Sequence, residues 1–302
     1  MEKIDDPSLA IIKPEEIKAS LNIALSKFFK KEELNDAERE LVEIYRQECI
    51  KYVSERSTKY IDIPTSFDSN AINFLRMQVE TKLGIGNDDS DDDIKTIREI
   101  LNGKTVVDLG SGPEPLQAMY NLFNWGAQKF VAVDVESPPD LEWIKRRQIE
   151  ESSELHKNYE LFDAESKERT RKKQIESAQS LSKRIDNGDI QSKKSDSLQF
   201  LMREKADGSH FIISSGAFAM GEVIPFGPKS ELSRSHNMPI YYLKFLAHEI
   251  ARLTPKGGLT YHCGHSNFGY DDSPLAHFLE EEGFKMIVNE HYGQDYTLWQ
   301  KA

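Results

Sequence analysis

Two acidic residues 26 positions apart, Asp108 and Asp134, each stand at the end of a short β-branched run. The first belongs to Thr105-Val-Val-Asp-Leu-Gly-Ser-Gly-Pro113, a run that opens into a Gly-x-Gly turn ahead of a helical pattern. Glycines at 110 and 112 allow a sharp turn and a close approach of backbone to a ligand. The helix that follows offers unpaired N–H groups to polar ligand atoms. Asp108 is placed either to accept a hydrogen bond from a ligand ammonium or to hold the loop through backbone amides. Asp134 ends Phe130-Val-Ala-Val-Asp134, where a carboxylate accepts the hydroxyls of a ribose. A Gly-x-Gly alone is a weak signal, equally explained by a tight turn. Strand, acid, glycines, helix, second strand and second acid in one βαβ unit make a stronger one. A nicotinamide dinucleotide site would ask for a third glycine at 115, where Pro115 stands, and this disfavours NAD.

The elements that must position these residues are legible at low resolution. From 14 to 104 apolar residues recur at helical spacing (Ile17, Leu21, Leu25, Phe28, then Leu41, Ile44, Tyr45), with a break at Pro64 and a further helix expected over 71–83. The stretch 84–93 carries five aspartates but lacks the alternation of a calcium loop. It reads as a solvated hinge. After Lys104 short β-branched runs alternate with helical segments, the pattern of a parallel sheet. The runs are 105–109, 129–133, 210–214, 258–263, 284–290 and 296–301; the helical segments include 115–125, 197–204, 239–253 and 274–282. The last two runs are too close for a crossover and are expected to pair as an antiparallel hairpin. Residues 141–188, rich in Lys, Arg, Glu and Gln, read as a helical insertion with an ion-paired face. Two domains are expected: a helical cap or substrate domain over 1–94, and an α/β domain over 95–302.

Composition narrows the function. The 302 residues are 38% hydrophobic and 30% charged, an ordinary folding composition. With 39 basic and 51 acidic residues the formal charge is −12, which repels phosphate backbones and acidic lipid, so neither nucleic acid nor membrane is expected as a partner. Two cysteines, Cys49 and Cys263, give neither a disulfide framework nor a metal spacing. No metal and a cytoplasmic location are expected.

VVDLGSGP at 106–113 and VAVDVE at 131–136 resemble the class I S-adenosylmethionine-dependent methyltransferases. The resemblance extends over 95–302: Asp196-Ser197-Leu-Gln-Phe resembles the segment after the third strand, 207–216 the fourth strand, 253–259 the turn into the fifth, and Tyr296-Thr-Leu-Trp-Gln-Lys the reversed seventh. It implies an α/β, Rossmann-like sheet of seven mostly parallel strands with a reversed final strand, beside the N-terminal helical domain. S-adenosyl-L-methionine is the implied cofactor. Asp108, Gly110, Ser111 and Gly112 would line its methionine part, Asp134 and Val135 its ribose, and Asp196 and Ser197 its adenine. Ser214, Ser215 and Gly216 would form the floor beside the sulfonium. Glu114 stands where many members carry a third glycine. The Asn/Asp-Pro-Pro-aromatic motif of enzymes methylating amino groups of adenine or glutamine is absent, Ser214-Ser-Gly-Ala occupying its place.

On the acceptor side, residues just after strands four and five face the reaction in such folds. These are Ala217–Met238 and Tyr261-His-Cys-Gly-His265. His265 and His236 are the candidate catalytic bases, with His262 a third imidazole in the same stretch. Tyr241, Tyr242, Phe245 and Leu246 resemble an aromatic cage, yet their helical spacing favours core. The expected activity is methyl transfer to O, N or S of a small molecule. A protein acceptor, and a non-catalytic scaffold of the same fold, are the alternatives.

Overall fold

The computed structural model describes residues 14–57, 98–111, 122–123, 125–135, 138–146, 172, 176, 179–215, 238–265, 274–291 and 294–302. The expected helix over 71–83, the acidic stretch 84–93 and the boundary at 94/95 lie outside these. The described chain runs α1 (Pro14–Phe29), α2 (Asp36–Ser57), β1 (Thr105–Leu109), β2 (Lys129–Asp134), β3 (Ile190–Lys194), α3 (Ser197–Arg203), β4 (His210–Ser215), α4 (Met238–Leu253), β5 (Leu259–His265), α5 (Pro274–Glu281), β6 (Phe284–His291) and β7 (Gln294–Lys301).

All six β-branched runs are strands, and they join β3 in one sheet of order β3-β2-β1-β4-β5-β7-β6. Strands β3, β2, β1, β4 and β5 pair in parallel, while β7 is antiparallel to both β5 and β6. The hairpin therefore inserts its second strand between β5 and its own first strand. The fold is the expected Rossmann-like α/β sheet with a reversed final strand. Strand β3, sequence IQSKK, escapes detection because it is an edge: Ile190 alone is buried, and Lys193 and Lys194 are exposed. Lysines on an edge strand also block pairing with a further chain.

Strict alternation sends the side chains of each strand to two cores. On one face Val107, Leu109, Val131, Val133, Ile212 and Trp299 pack against α3, α4 and α5. On the other, Val106, Phe130, Ala132, Phe211, Ile213, Tyr261 and Leu298 pack with Leu101, Leu122, Phe123, Ile144 and Leu181. Burial on both faces is what parallel strands require, and it accounts for their unbroken apolar runs.

The N-terminal helices belong to the first core. Ala24 and Leu25 of α1 and Val42, Cys49, Ile50 and Val53 of α2 join the cluster that includes Phe245 and Leu246 of α4. Helix α2 starts with a reciprocal cap: Asn35 Oδ1 accepts from Glu38 N at 2.9 Å, and Glu38 returns the bond to Asn35 N at 3.0 Å. This arrangement satisfies two amides that the helix itself cannot. Phe28, Phe29, Tyr45, Tyr241 and Phe245 interleave, with Tyr45 edge-on to Tyr241 at 5.5 Å between centroids. The aromatic stripe of α4 is thus core. Glu249, buried at the same contact, is bracketed by Arg46 of α2 at 3.4 Å and by Arg252 at 2.6 Å.

Within the charged insertion, 141–146 and 179–186 are helical. Lys145 bridges them, at 2.7 Å from Glu142 and 2.8 Å from Asp186. The basic runs at 146–148 and 168–174 lie almost wholly outside the described residues.

Candidate functional site

The strand order reverses direction at β1: the chain passes outward through β2 and β3, then returns to β4 on the other side. The crevice beyond the carboxyl ends of β1 and β4 is the position where open α/β sheets bind ligands. Asp108 lies in register with Ala132 of β2 and Ile213 of β4, at the heart of that end. Gly110 turns the chain away at φ +68°, a left-handed conformation that glycine adopts without steric cost. The turn is tied down by Gly110 N and Ser111 N, which donate to Val133 O at 2.8 and 3.2 Å. These loop amides are therefore spent on β2 and not on Asp108.

The Asp108 side chain is fully buried, and neither carboxyl oxygen has a hydrogen-bond partner among the described residues. Burial pushes its pKa well above the ordinary carboxylate value, and the neighbouring Asp134 pushes it further the same way. An isolated buried acid costs several kcal/mol to ionise, so it stays protonated unless a cation or donor is brought to it.

Asp134 shares this face of the sheet, two residues beyond Ala132, and is partly exposed with Val135. Its backbone carbonyl accepts from Ser195 N at 3.0 Å, which fastens the β3–α3 turn to the end of β2. The next residue, Asp196, differs from the expectation. Oδ1 caps α3 by accepting from Gln199 N at 3.0 Å. Oδ2 accepts from Tyr242 Oη of α4 at 2.9 Å and from Ser54 Oγ of α2 at 3.3 Å. Burial raises its pKa, and the hydrogen bonds from Gln199, Tyr242 and Ser54 counter that rise. Both oxygens are committed to the protein, so Asp196 is a helix cap and a tie between helices. Ser197 is the first residue of α3 and is buried beside it. The resemblance implies an adenine partner at Asp196; in the structure both of its oxygens have partners within the protein.

A second polar group lies beneath the ends of β4 and β5, on the opposite face from Asp108. Ser214 and His262 are register partners, both fully buried, with Ser214 Oγ 2.7 Å from His262 Nδ1. His262 Nε2 is 2.9 Å from Thr260 Oγ1, and that hydroxyl donates to Ile212 O at 2.7 Å. Since the Thr260 hydroxyl spends its proton on Ile212, it accepts from Nε2–H. His262 Nδ1 is then the acceptor and Ser214 the donor. Burial pushes the pKa of His262 down to about 3, so the ring is neutral. It is not a base facing an acceptor. Sequence reasoning missed this chain, although Ser214, Thr260 and His262 all fall on polar-inward positions of otherwise apolar strands.

Gly112, Gly216 and His236 lie outside the described residues, as do the side chains of Ser215, Cys263 and His265. The backbone of His265 ends β5 opposite Gln294. Among the described residues no cluster of three metal-ligating side chains occurs, and no helix is long and apolar enough to cross a membrane.

No family model and no curated protein matches the chain. Solved structures share its architecture. The T. thermophilus 16S rRNA N2 methyltransferase, solved with AdoMet and guanosine, is 15% identical over 80% of this chain and 45% of that one, with a TM-score of 0.37. The B. subtilis tRNA methyltransferase TrmK is 15% identical over 69% of this chain and 65% of its own, TM-score 0.35. Precorrin-6y C5,15-methyltransferase from Geobacter metallireducens is 10% identical over 71% and 90%, TM-score 0.36. The likeness is one of fold. Two of the three are RNA methyltransferases, and the expected exclusion of nucleic acid is corrected. The physical fault lay in the step from net charge to partner: −12 is a sum over the chain, whereas a phosphate responds to the local field.

Proposed function

We infer that this protein binds S-adenosylmethionine across the carboxyl ends of β1 and β2 and transfers its methyl group. The observation that carries this reading is Asp108, a buried carboxylate at the mouth of the Gly110 turn with no hydrogen-bond partner among the described residues. Its chemistry suits the cofactor's ammonium, and the Asp134 carboxylate beyond it suits the ribose hydroxyls. The resident group supplies an activated methyl on a sulfonium. The chain's own work would be to hold it: the Asp108 carboxylate would face the ammonium, Gly110 and Ser111 keep the turn against β2, and the Ser195 tie fastens the carbonyl of Asp134. Transfer then depends on the alignment of an acceptor atom with the methyl. His265, at the end of β5, and His236, just ahead of α4, are the proposed bases for acceptors that must lose a proton.

Residues 216–237 and 266–273, which follow β4 and β5 in the sequence, are the segments expected to carry the specificity of such a site. The lack of the amino-methylating motif supports an O, N or S atom of a small molecule, and RNA and protein acceptors are tested beside it. Calorimetric titration with S-adenosylmethionine, S-adenosylhomocysteine and NAD comes first. Micromolar binding of the first two and none of NAD is expected. Absence of binding by either adenosyl compound overturns the reading. A binding-competent protein is then incubated with methyl-labelled cofactor and, separately, small metabolites, proteins and RNA from extract; the fraction that takes up label identifies the acceptor class.

A further inference from the structure

The N-terminal helices fall outside the family resemblance, yet one carboxylate connects them to the candidate cofactor site. We propose that Asp196 is a positioning residue that couples α2 and α4 to the wall of the cofactor pocket, with Tyr242 as the side chain that sets it. This rests on the function proposed above. Asp196 receives Tyr242 from α4, Ser54 from α2 and the amide of Gln199 from α3, so three helices meet on one side chain. Its chain neighbour Ser195 donates to the carbonyl of Asp134, and Val133, one residue earlier, receives Gly110 N and Ser111 N. The path from α4 to the glycine turn is therefore Tyr242, Asp196, Ser195, Asp134, Val133, Gly110, all of it hydrogen bonds or peptide links.

Packing alone does not explain this arrangement. Tyr242 is almost wholly buried in the apolar core of α1, α2 and α4, where phenylalanine fills nearly the same volume without a polar atom. Its hydroxyl has a direct consequence for Asp196: it supplies one of three donors to a buried carboxylate, and buried polar networks fix one geometry in place of several. With that donor removed, the β3–α3 turn has a weaker anchor, and the carbonyl of Asp134 moves with it. Helices α1 and α2 then serve the cofactor from behind: they seal Tyr242 and Ser54 around Asp196.

The test compares S-adenosylhomocysteine affinity, by calorimetry well below the melting temperature, in the native chain, Tyr242→Phe and Arg46→Met. The last breaks the ion pair of α2 with Glu249 in the same helix contact without touching Asp196. The expected result is a dissociation constant about tenfold higher for Tyr242→Phe, the effect of one lost hydrogen bond to a charged group, and unchanged for Arg46→Met although its melting temperature falls. Equal affinity of Tyr242→Phe and the native chain overturns the proposal. So does equal weakening by both variants, which would make the effect one of general packing. If Tyr242→Phe does not fold, Ser54→Ala, at the partly buried edge of the network, is expected to weaken binding two- to threefold, and no change in it overturns the proposal. Failure of the native chain to bind overturns the proposed function and this inference with it.

Discussion

Asp108 and Asp196 are both buried, both follow or end a parallel strand at the carboxyl edge of the sheet, and both have raised pKa values for the same primary reason, burial. They differ in company. Asp196 has four protein groups turned towards it, counting the amide of Leu198, whereas neither oxygen of Asp108 has a hydrogen-bond partner among the described residues. A satisfied buried acid ties elements of the fold together, and an unsatisfied one is where the proposed cofactor ammonium would sit. The sequence motif assigned a cofactor role to both, and only the hydrogen-bond inventory separates them.

Four measurements would break or sharpen this contrast. The largest effect is expected at Asp196→Ala, which removes a helix cap and leaves the Tyr242 hydroxyl buried without a partner. Unfolding in urea should show a loss of about 3–4 kcal/mol at constant slope. The matching change Asp108→Asn should do the reverse: folding stability is unchanged or slightly higher, while S-adenosylhomocysteine affinity drops roughly 100-fold, near 2.7 kcal/mol. A large loss of stability in Asp108→Asn would end the contrast. Third is acid. His262 has its pKa lowered to about 3 by burial, so between its unfolded value of 6.5 and about 3 the unfolded chain binds the extra proton. Stability should fall with decreasing pH through that window, by up to about 1.4 kcal/mol per unit from this one group, and His262→Gln should flatten the slope of melting temperature against pH. The smallest effect is expected at Gly110→Ala, where φ +68° costs a side chain about 1 kcal/mol, read as a modest drop in urea midpoint.

Fold and site were not equally legible. Strand β1, TVVDL, and the other apolar strands announce themselves because both faces are buried and most positions are apolar or β-branched. β3 does not, since an edge strand with Lys193 and Lys194 outward carries the composition of a loop. The hairpin was legible from its short connection, but the insertion of β7 beside β5 was not, because pairing order is decided by long-range contacts. At the site, Asp108, Gly110 and Asp134 could be found because a βαβ unit fixes their spacing locally. The commitment of Asp196 depends on Ser54, 142 positions earlier, and Tyr242, 46 later, and no local pattern records such a meeting. His262 illustrates the same limit: its neighbours in sequence place it beside an acceptor loop, while its neighbours in space are two buried hydroxyls.

The placement of β7 has a consequence for how the chain is made. β6 has no partner in the sheet except β7, and β7 also supplies the far side of β5. During synthesis, β5 therefore keeps an open edge and β6 waits unpaired until residues 294–301 have left the ribosome. A nick or premature stop ahead of Gln294 would expose two strand edges at once, leaving the half of the sheet next to His265 as the part of the newborn protein most open to aggregation and proteolysis.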